Sequence, residues 1–231
     1  MFYFGTADQN ELFKFQFYEQ DKICLFKVQT FHEKTNELIV KKLNEIFTQM
    51  SRKGTTILII DLRGNGGGSG KPGWQILKRT LQKTARSASK YTKSTYFISQ
   101  NLITKLIPAY ENIIPNRDAW YGKLVLICDR FTASSAVDLA VIVKDNQAGF
   151  IAGEETGGPA SYFGDIEWVN LTNSGLNCMV PTAYFLRPGG FDDNRGVLPD
   201  LQLDITNGDE ILAKKIYDYV TKVTKQKQTM K

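Results

Sequence analysis

The sequence predicts an α/β domain built around a largely parallel sheet. Three short runs, at residues 55–62, 124–128 and 149–153, are mostly apolar, as is typical of strands buried on both faces. Segments with helical periodicity separate them, and this alternation favours parallel neighbours joined by crossovers. With 231 residues, of which 42% are apolar, the chain is long enough to bury a sizeable core.

The elements follow in chain order from the same patterns. Residues 22–28 are rich in branched and aromatic side chains and predict the first well-defined strand. Residues 85–119 are polar and irregular, which indicates an excursion from the core. Residues 160–186 predict two or three strands separated by turns. The predicted helices span residues 33–50, 74–84, 133–144 and 209–223.

Composition argues against several classes of protein. Lys and Arg outnumber Asp and Glu by 29 to 24, but no basic stripe interleaved with aromatics is evident, so nucleic-acid binding is not expected. The three cysteines are widely spaced and form no CxxC pair, which predicts neither a metal site nor disulfides, and no cofactor is expected. No apolar stretch is long enough to span a bilayer, and no export signal is visible.

We expect one domain over residues 1–220 and a disordered basic tail at 221–231. The oligomeric state is not indicated.

A glycine-rich segment, from Asp61 to Gly68, lies at the C-terminal end of the predicted strand at 55–62. Glycines at the end of a buried strand let backbone N–H groups face a ligand, as in a phosphate cradle or one wall of an oxyanion hole. The segment lacks the Lys-Ser/Thr ending of a P-loop and does not fit G-x-G-x-x-G in register. A flexible turn is the alternative for a glycine cluster alone.

A second junction, between the strand at 124–128 and the helix at 133–144, carries Ser134 and Ser135. A serine there sits at a helix N-terminus, where free N–H groups and the positive helix end stabilise an oxyanion. Helix capping is the alternative, and one residue can do both. A third segment, Gly153 to Pro159, follows the strand at 149–153. Loops at the C-terminal ends of neighbouring strands are where an open α/β sheet places its site.

Together these segments resemble the C-terminal processing (tail-specific) serine peptidase family. The resemblance rests on four motifs in order: D-x-R-x-N-x-G-G at 61–68, T-A-S-x-A at 132–136, G-E-x-T-x-G at 153–158 and G-V-x-P-D at 196–200. It covers residues 22 to 205 and implies a crotonase/ClpP-like ββα superhelix with a mostly parallel central sheet.

The resemblance also implies roles for individual residues. Ser134 is implied as the nucleophile that forms an acyl-enzyme, and Asp193 as a possible acidic partner. The implied oxyanion hole consists of the backbone N–H groups of Ser135 and of one glycine in 66–68, for which Gly67 is our choice. The residues implied to line the substrate site are Gly66, Gly68, Gly157 and Gly158. The implied partner is a peptide or unfolded protein, and the implied location is periplasmic or extracellular if an export signal has been lost.

The general base departs from the family pattern. Bacterial members place a lysine after G-E-x-T-x-G, where this chain has Pro159, which accepts no proton. Lys144 does not match that position. The tricorn-like branch, which the chain resembles more closely, uses an upstream histidine and an acid near Asp193, but the setting of His32 does not match. We expect the base to be missing or supplied by another segment, since the family's N-terminal helical and PDZ portions do not appear.

Two other functions stay open on the sequence alone. A non-catalytic member of the same fold would hold extended peptides beside a strand edge, and Pro159 favours it. A crotonase-type acyl-CoA enzyme would use the same oxyanion hole, but the motif at 196–200 and the lack of a CoA-contacting pattern argue against it.

Overall fold

A six-stranded sheet forms the centre of the computed structural model, which describes residues 12–93 and 112–229. Its strands, in chain order, are β1 Phe15–Tyr18, β2 Ile23–Lys27, β3 Ile57–Asp61, β7 Lys123–Cys128, β8 Phe150–Gly153 and β11 Leu201–Gln202. They lie side by side in the order β1-β2-β3-β7-β8-β11. Only the β1–β2 pair is antiparallel. The predicted α/β class with a mostly parallel central sheet is confirmed.

Four helices of the described ranges cover the two faces of this sheet. They are α1 Asn36–Lys53, α2 Lys71–Thr80, α3 Ser135–Asp145 and α4 Asp209–Thr229. A 3-10 turn, Glu33–Thr35, precedes α1, which ends at Gly54 in the left-handed conformation that favours glycine (φ 65°). Thus the helix predicted over 33–50 begins as a tighter turn and ends three residues later than expected.

The strand pleat divides the core into two layers. Alternate residues of β2, β3 and β7, such as Phe26, Ile60 and Leu126, pack against α1, α2 and α3. The intervening residues, such as Ile59 and Ile127, pack against α4. All five residues of β3 are buried, which explains why its sequence is continuously apolar up to Asp61.

A second, antiparallel sheet stands beside the first. It joins β5 Lys90–Lys93, β10 Asn177–Leu186 and β9 Tyr162–Asn170, with β10 in the middle. The outer part of the β9–β10 hairpin exposes Trp168 and Met179, which face each other across the two strands. Two short strands, β4 Ala85–Arg86 and β6 Asn112–Ile113, pair nearby. The rest of the predicted excursion, at 94–111, lies outside the described residues.

The tail corrects one expectation. Residues 221–229 continue α4 and are not disordered as the sequence predicted. Extending an existing helix needs no new nucleus, and the Lys and Gln residues of this stretch have good helix propensity. The Thr224 hydroxyl also bonds the Val220 carbonyl, one turn back. Within the described ranges, no helix is long and apolar enough to cross a membrane.

Candidate active site

Three loops meet at one edge of the main sheet, each following a neighbouring strand. We call residues 62–70, after β3, the glycine loop; residues 129–134, after β7, the serine loop; and residues 154–161, after β8, the third loop. Because β3, β7 and β8 are parallel and adjacent, their carboxyl ends bring the three loops together.

Ser134 stands at the tip of the serine loop, immediately before α3. Its backbone has φ 52° and ψ −131°, a conformation that costs a non-glycine residue on the order of 1–3 kcal/mol and persists only when its surroundings hold it. The residue is exposed, and its side chain makes no capping hydrogen bond. The capping alternative therefore does not describe this serine, whose hydroxyl is left available to a ligand.

Thr132 ties the serine loop to the glycine loop. Its side chain is fully buried; Oγ1 donates to the Leu62 carbonyl (3.0 Å) and accepts from the Asp129 N–H (3.0 Å). The Asp129 carboxylate in turn accepts from the Gly64 N–H at 3.1 Å. These bonds explain why a small hydroxyl residue is needed at the first position of T-A-S-x-A.

Asn65 fixes the path of the glycine loop from the inside. It is fully buried, its amide nitrogen donates to the Val28 carbonyl (2.8 Å), and its Oδ1 accepts from the Gly67 N–H (2.9 Å). Its own carbonyl accepts from the Ala133 N–H (3.0 Å), next to Ser134. The asparagine of D-x-R-x-N-x-G-G is therefore structural, which its position in the sequence alone did not reveal.

Two glycines of this loop touch different partners. A Cβ built on Gly67 (φ 93°) would lie 2.6 Å from the Ser134 Cβ, so only glycine allows this approach. Gly68 (φ 135°) forms a parallel bridge with Phe31. The Phe31 N–H donates to the Gly67 carbonyl, and the Phe31 carbonyl accepts from the Ser69 N–H. In this pairing the N–H of Gly68 points away from Phe31.

Two backbone N–H groups beside Ser134 donate no hydrogen bond within the described part of the chain. One belongs to Ser135, the first residue of α3, where helix geometry leaves an N–H without a partner. The other belongs to Gly68. Our sequence choice, Gly67, already donates to Asn65. The two unengaged donors and the Ser134 hydroxyl belong to three residues that line the same cavity.

This cavity has a volume of about 860 Å³. Its walls come from the three loops and from the β9–β10 hairpin, including Gly158, Pro159, Tyr162, Phe163, Ile166 and Phe185. Gly66 and Gly157 do not line it. Gly157 packs behind the serine loop, where an added Cβ would lie 1.9 Å from the Arg130 carbonyl oxygen.

The candidate bases and acids of the sequence lie elsewhere. His32 Nδ1 accepts from the Lys34 N–H and caps the 3-10 turn, and Lys144 pairs with Asp200. Asp193 lies 3.8 Å from Arg187 and does not line the cavity. In residues 12–93 and 112–229, no base hydrogen-bonds the Ser134 hydroxyl.

A carboxylate that we did not single out in the sequence, Asp138, does line the cavity. It lies one turn after Ser134 on α3, and both of its oxygens accept from the Tyr162 hydroxyl (2.8 and 2.9 Å). Burial raises the pKa of Asp138 to about 6, against the opposing effect of that hydrogen bond. The sequence offered one clue to Asp138, its position four residues after Ser134, because residues four apart lie on the same face of a helix.

Comparison with known proteins gives one family. The sequence model described as Peptidase family S41 matches residues 22–203. The chloroplastic C-terminal processing peptidase of Tetradesmus obliquus is 31% identical over 164 residues, which are 69% of this chain and 31% of that protein. Carboxyl-terminal-processing peptidase 2 of Arabidopsis thaliana, also chloroplastic, is 27% identical over 180 residues, or 78% of this chain and 31% of that protein. The chain thus spans about a third of the length of these curated relatives.

Solved structures agree on the fold. The photosystem II D1 C-terminal processing protease superimposes with a TM-score of 0.60 and 24% identity, covering 84% of this chain and 48% of that one. A putative peptidase from Parabacteroides merdae gives a TM-score of 0.63 at 19% identity, covering 87% and 60%.

Proposed function

Because this chain belongs to peptidase family S41, we propose that it carries the nucleophile and oxyanion hole of a serine peptidase acting on peptides or on the C-terminal segments of proteins. The observation that carries the proposal is that Ser134, exposed at the N-terminus of α3, lines a cavity together with Ser135 and Gly68. In the described part of the chain, the backbone N–H groups of these two neighbours donate no hydrogen bond. Since the chain covers a third of its curated relatives, the activity of the whole protein is part of the proposal.

The chemistry would run through an acyl-enzyme. The Ser134 oxygen attacks the carbonyl carbon of a peptide bond, and the negative charge that develops on the carbonyl oxygen is bound by the N–H groups of Ser135 and Gly68. Collapse of this adduct breaks the C–N bond and releases the amine half of the peptide, whose nitrogen takes up the proton that Ser134 gave up. Water then hydrolyses the ester and restores the Ser134 hydroxyl. Removal of one such donor typically lowers the rate roughly a hundred- to a thousandfold. We assign Gly67 the task of holding Ser134 at close range, because its own N–H is engaged by Asn65.

The proton of Ser134 needs an acceptor. We propose that the base comes from a segment outside residues 12–93 and 112–229, since Pro159 replaces the lysine of the bacterial pattern and no described base reaches the hydroxyl. The same two observations support a second candidate function, a member that binds peptides without cleaving them.

A serine-directed fluorophosphonate probe separates the two. We expect a covalent adduct on Ser134, located by mass spectrometry, that is lost in Ser134→Ala and retained in Ser174→Ala, a remote turn serine. The peptidase proposal fails if the probe leaves Ser134 unmodified while fluorescent peptides bind wild type and Ser134→Ala equally well, which is the result expected of a non-catalytic member.

A further inference from the structure

The cavity at Ser134 has a charge opposite to that of the chain. The protein carries a formal charge of +5, yet the residues that line the cavity include Asp138, Asp165 and Asp192 and, among those described, no Lys, Arg or His. Charges of one sign along a low-dielectric cleft attract ligands of the other sign.

Asp138 lies in the wall of this cavity and has spare hydrogen-bonding capacity. Its backbone N–H donates to the Ser134 carbonyl at 3.1 Å, in the first turn of α3. The Tyr162 hydroxyl donates one proton to a carboxylate that accepts up to about four hydrogen bonds. No cation lies within ion-pair distance of Asp138 in the described ranges. A partly buried carboxylate of this kind gains from an incoming cation.

Asp192 supplies a second negative charge nearer to solvent. It is exposed and accepts from the Tyr184 hydroxyl. The cavity also has an aromatic wall, in which the Tyr162 and Phe185 rings stack with their centroids 5.1 Å apart. Such a wall suits the methylene stem of a long side chain whose charged end seeks a carboxylate.

We propose that this cavity selects peptides with Lys or Arg beside the bond that Ser134 attacks, and that Asp138 is the residue that determines this specificity. The inference rests on the proposed peptidase function and names its substrate class. An acidic side chain at the same place meets Asp138 and Asp192 and is disfavoured. An apolar side chain of equal length gains the aromatic wall but no charge contact.

Three aminoalkyl phosphonate diphenyl esters test this selectivity. They differ only in the side chain beside the reactive phosphorus, which is that of Lys, norleucine or Glu. We expect wild type to react about tenfold or more faster with the Lys probe than with the norleucine probe, as one charge-assisted hydrogen bond provides, and slowest with the Glu probe. Equal rates with the Lys and norleucine probes would overturn the proposal.

Variants identify the residue responsible. In Asp138→Asn the Lys preference should fall to within about twofold, whereas Tyr162→Phe, which keeps the carboxylate, should retain it. If Asp138→Asn does not fold, Asp192→Asn, at an exposed position, should still lower the preference by a smaller factor that shrinks further in high salt. A Lys preference that is unchanged in a folded Asp138→Asn contradicts the assignment, and so does an unchanged preference in Asp192→Asn where the first variant does not fold.

The two proposals fail in different ways. The fluorophosphonate probe carries no such side chain, so its reaction with Ser134 reports the nucleophile alone. A chain that reacts with it but shows no Lys preference keeps the peptidase function and loses the specificity. If it does not react, binding of matched Lys, norleucine and Glu peptides to Ser134→Ala, followed by fluorescence anisotropy, decides the specificity without any turnover.

Discussion

Replacing Gly67 by alanine tests the central feature of the site, the close approach of the glycine loop to Ser134. The new Cβ would lie 2.6 Å from the Ser134 Cβ and 2.7 Å from the Ala133 carbonyl oxygen. Since optimal carbon–carbon contacts are about 3.5–4.0 Å, either the loop or the serine must move by about 1 Å. The residue would also keep φ at 93°, where an L-residue is strained.

Gly64→Ala is the matched control. Gly64 lies in the same loop and also has a positive φ (73°), but an added Cβ meets nothing within 4 Å. Gly64→Ala should therefore lower the free energy of unfolding only by the strain of an L-residue at positive φ, about 1–2 kcal/mol. Gly67→Ala adds overpacking of roughly 1–3 kcal/mol to a similar backbone term. The difference between the two variants isolates the contact with Ser134.

Two measurements follow the effect. Urea unfolding gives the free energy of unfolding of each variant, and the rate of fluorophosphonate labelling reports the position of the Ser134 hydroxyl. A displacement of about 1 Å can cost a reacting group roughly a hundredfold in rate, so we expect labelling of Gly67→Ala to drop at least tenfold below that of Gly64→Ala. If the two variants have the same stability and label at the same rate, the glycine loop does not hold Ser134 in the way described.

Three further predictions concern buried polar groups. Thr132→Val should cost about 2–3 kcal/mol in denaturant unfolding, because the Leu62 carbonyl and Asp129 N–H lose their partner; an unchanged midpoint contradicts this. Asp145→Asn removes the carboxylate that accepts two hydrogen bonds from the Arg187 guanidinium; the Asp145 side chain is 5% exposed and the Arg187 side chain 7%. The free energy of unfolding should fall by about 3–5 kcal/mol, whereas a loss below about 1 kcal/mol would mean that the pair is solvated. Because the pKa of Asp138 is higher in the folded than in the unfolded protein, protonation of its carboxyl group stabilises the native state. This stabilisation is complete below about pH 3.8 and is lost as the pH rises through about 6. Unfolding of wild type relative to Asp138→Asn, followed from pH 4 to 7, should reveal a difference that changes by up to about 3 kcal/mol, and parallel curves would refute the shift.

The fold was predictable because its strands and helices carry strong periodic signals. The continuous apolar runs of β3, β7 and β8 mark strands covered on both faces, and the structure covers them with α1, α2 and α3 on one side and α4 on the other. The position of Ser134 at the junction of β7 and α3 followed from the same reading.

What the sequence did not reveal depends on contacts between distant residues. Nothing local indicates that Asn65 bonds the Val28 carbonyl or that its side chain takes the Gly67 N–H, and without these bonds the loop donors could not be told apart. Asp138 was missed for the same reason, since its partner Tyr162 lies 24 residues away on another element. The length of α4 was underestimated because a polar, lysine-rich composition indicates disorder when the preceding helix is ignored.

Arg63 joins the glycine loop to the segment that leads into α4. Its guanidinium bonds the Asp61 carboxylate at the end of β3, the Ile205 carbonyl and the Asp209 carboxylate at the start of α4. Asp209 follows Arg63 by 146 residues. A ribosome adding roughly 5–20 residues per second needs roughly 7–30 s to cover that distance. A nascent chain therefore carries the finished glycine loop for this interval before Asp209, the last of the three partners of Arg63, has been made.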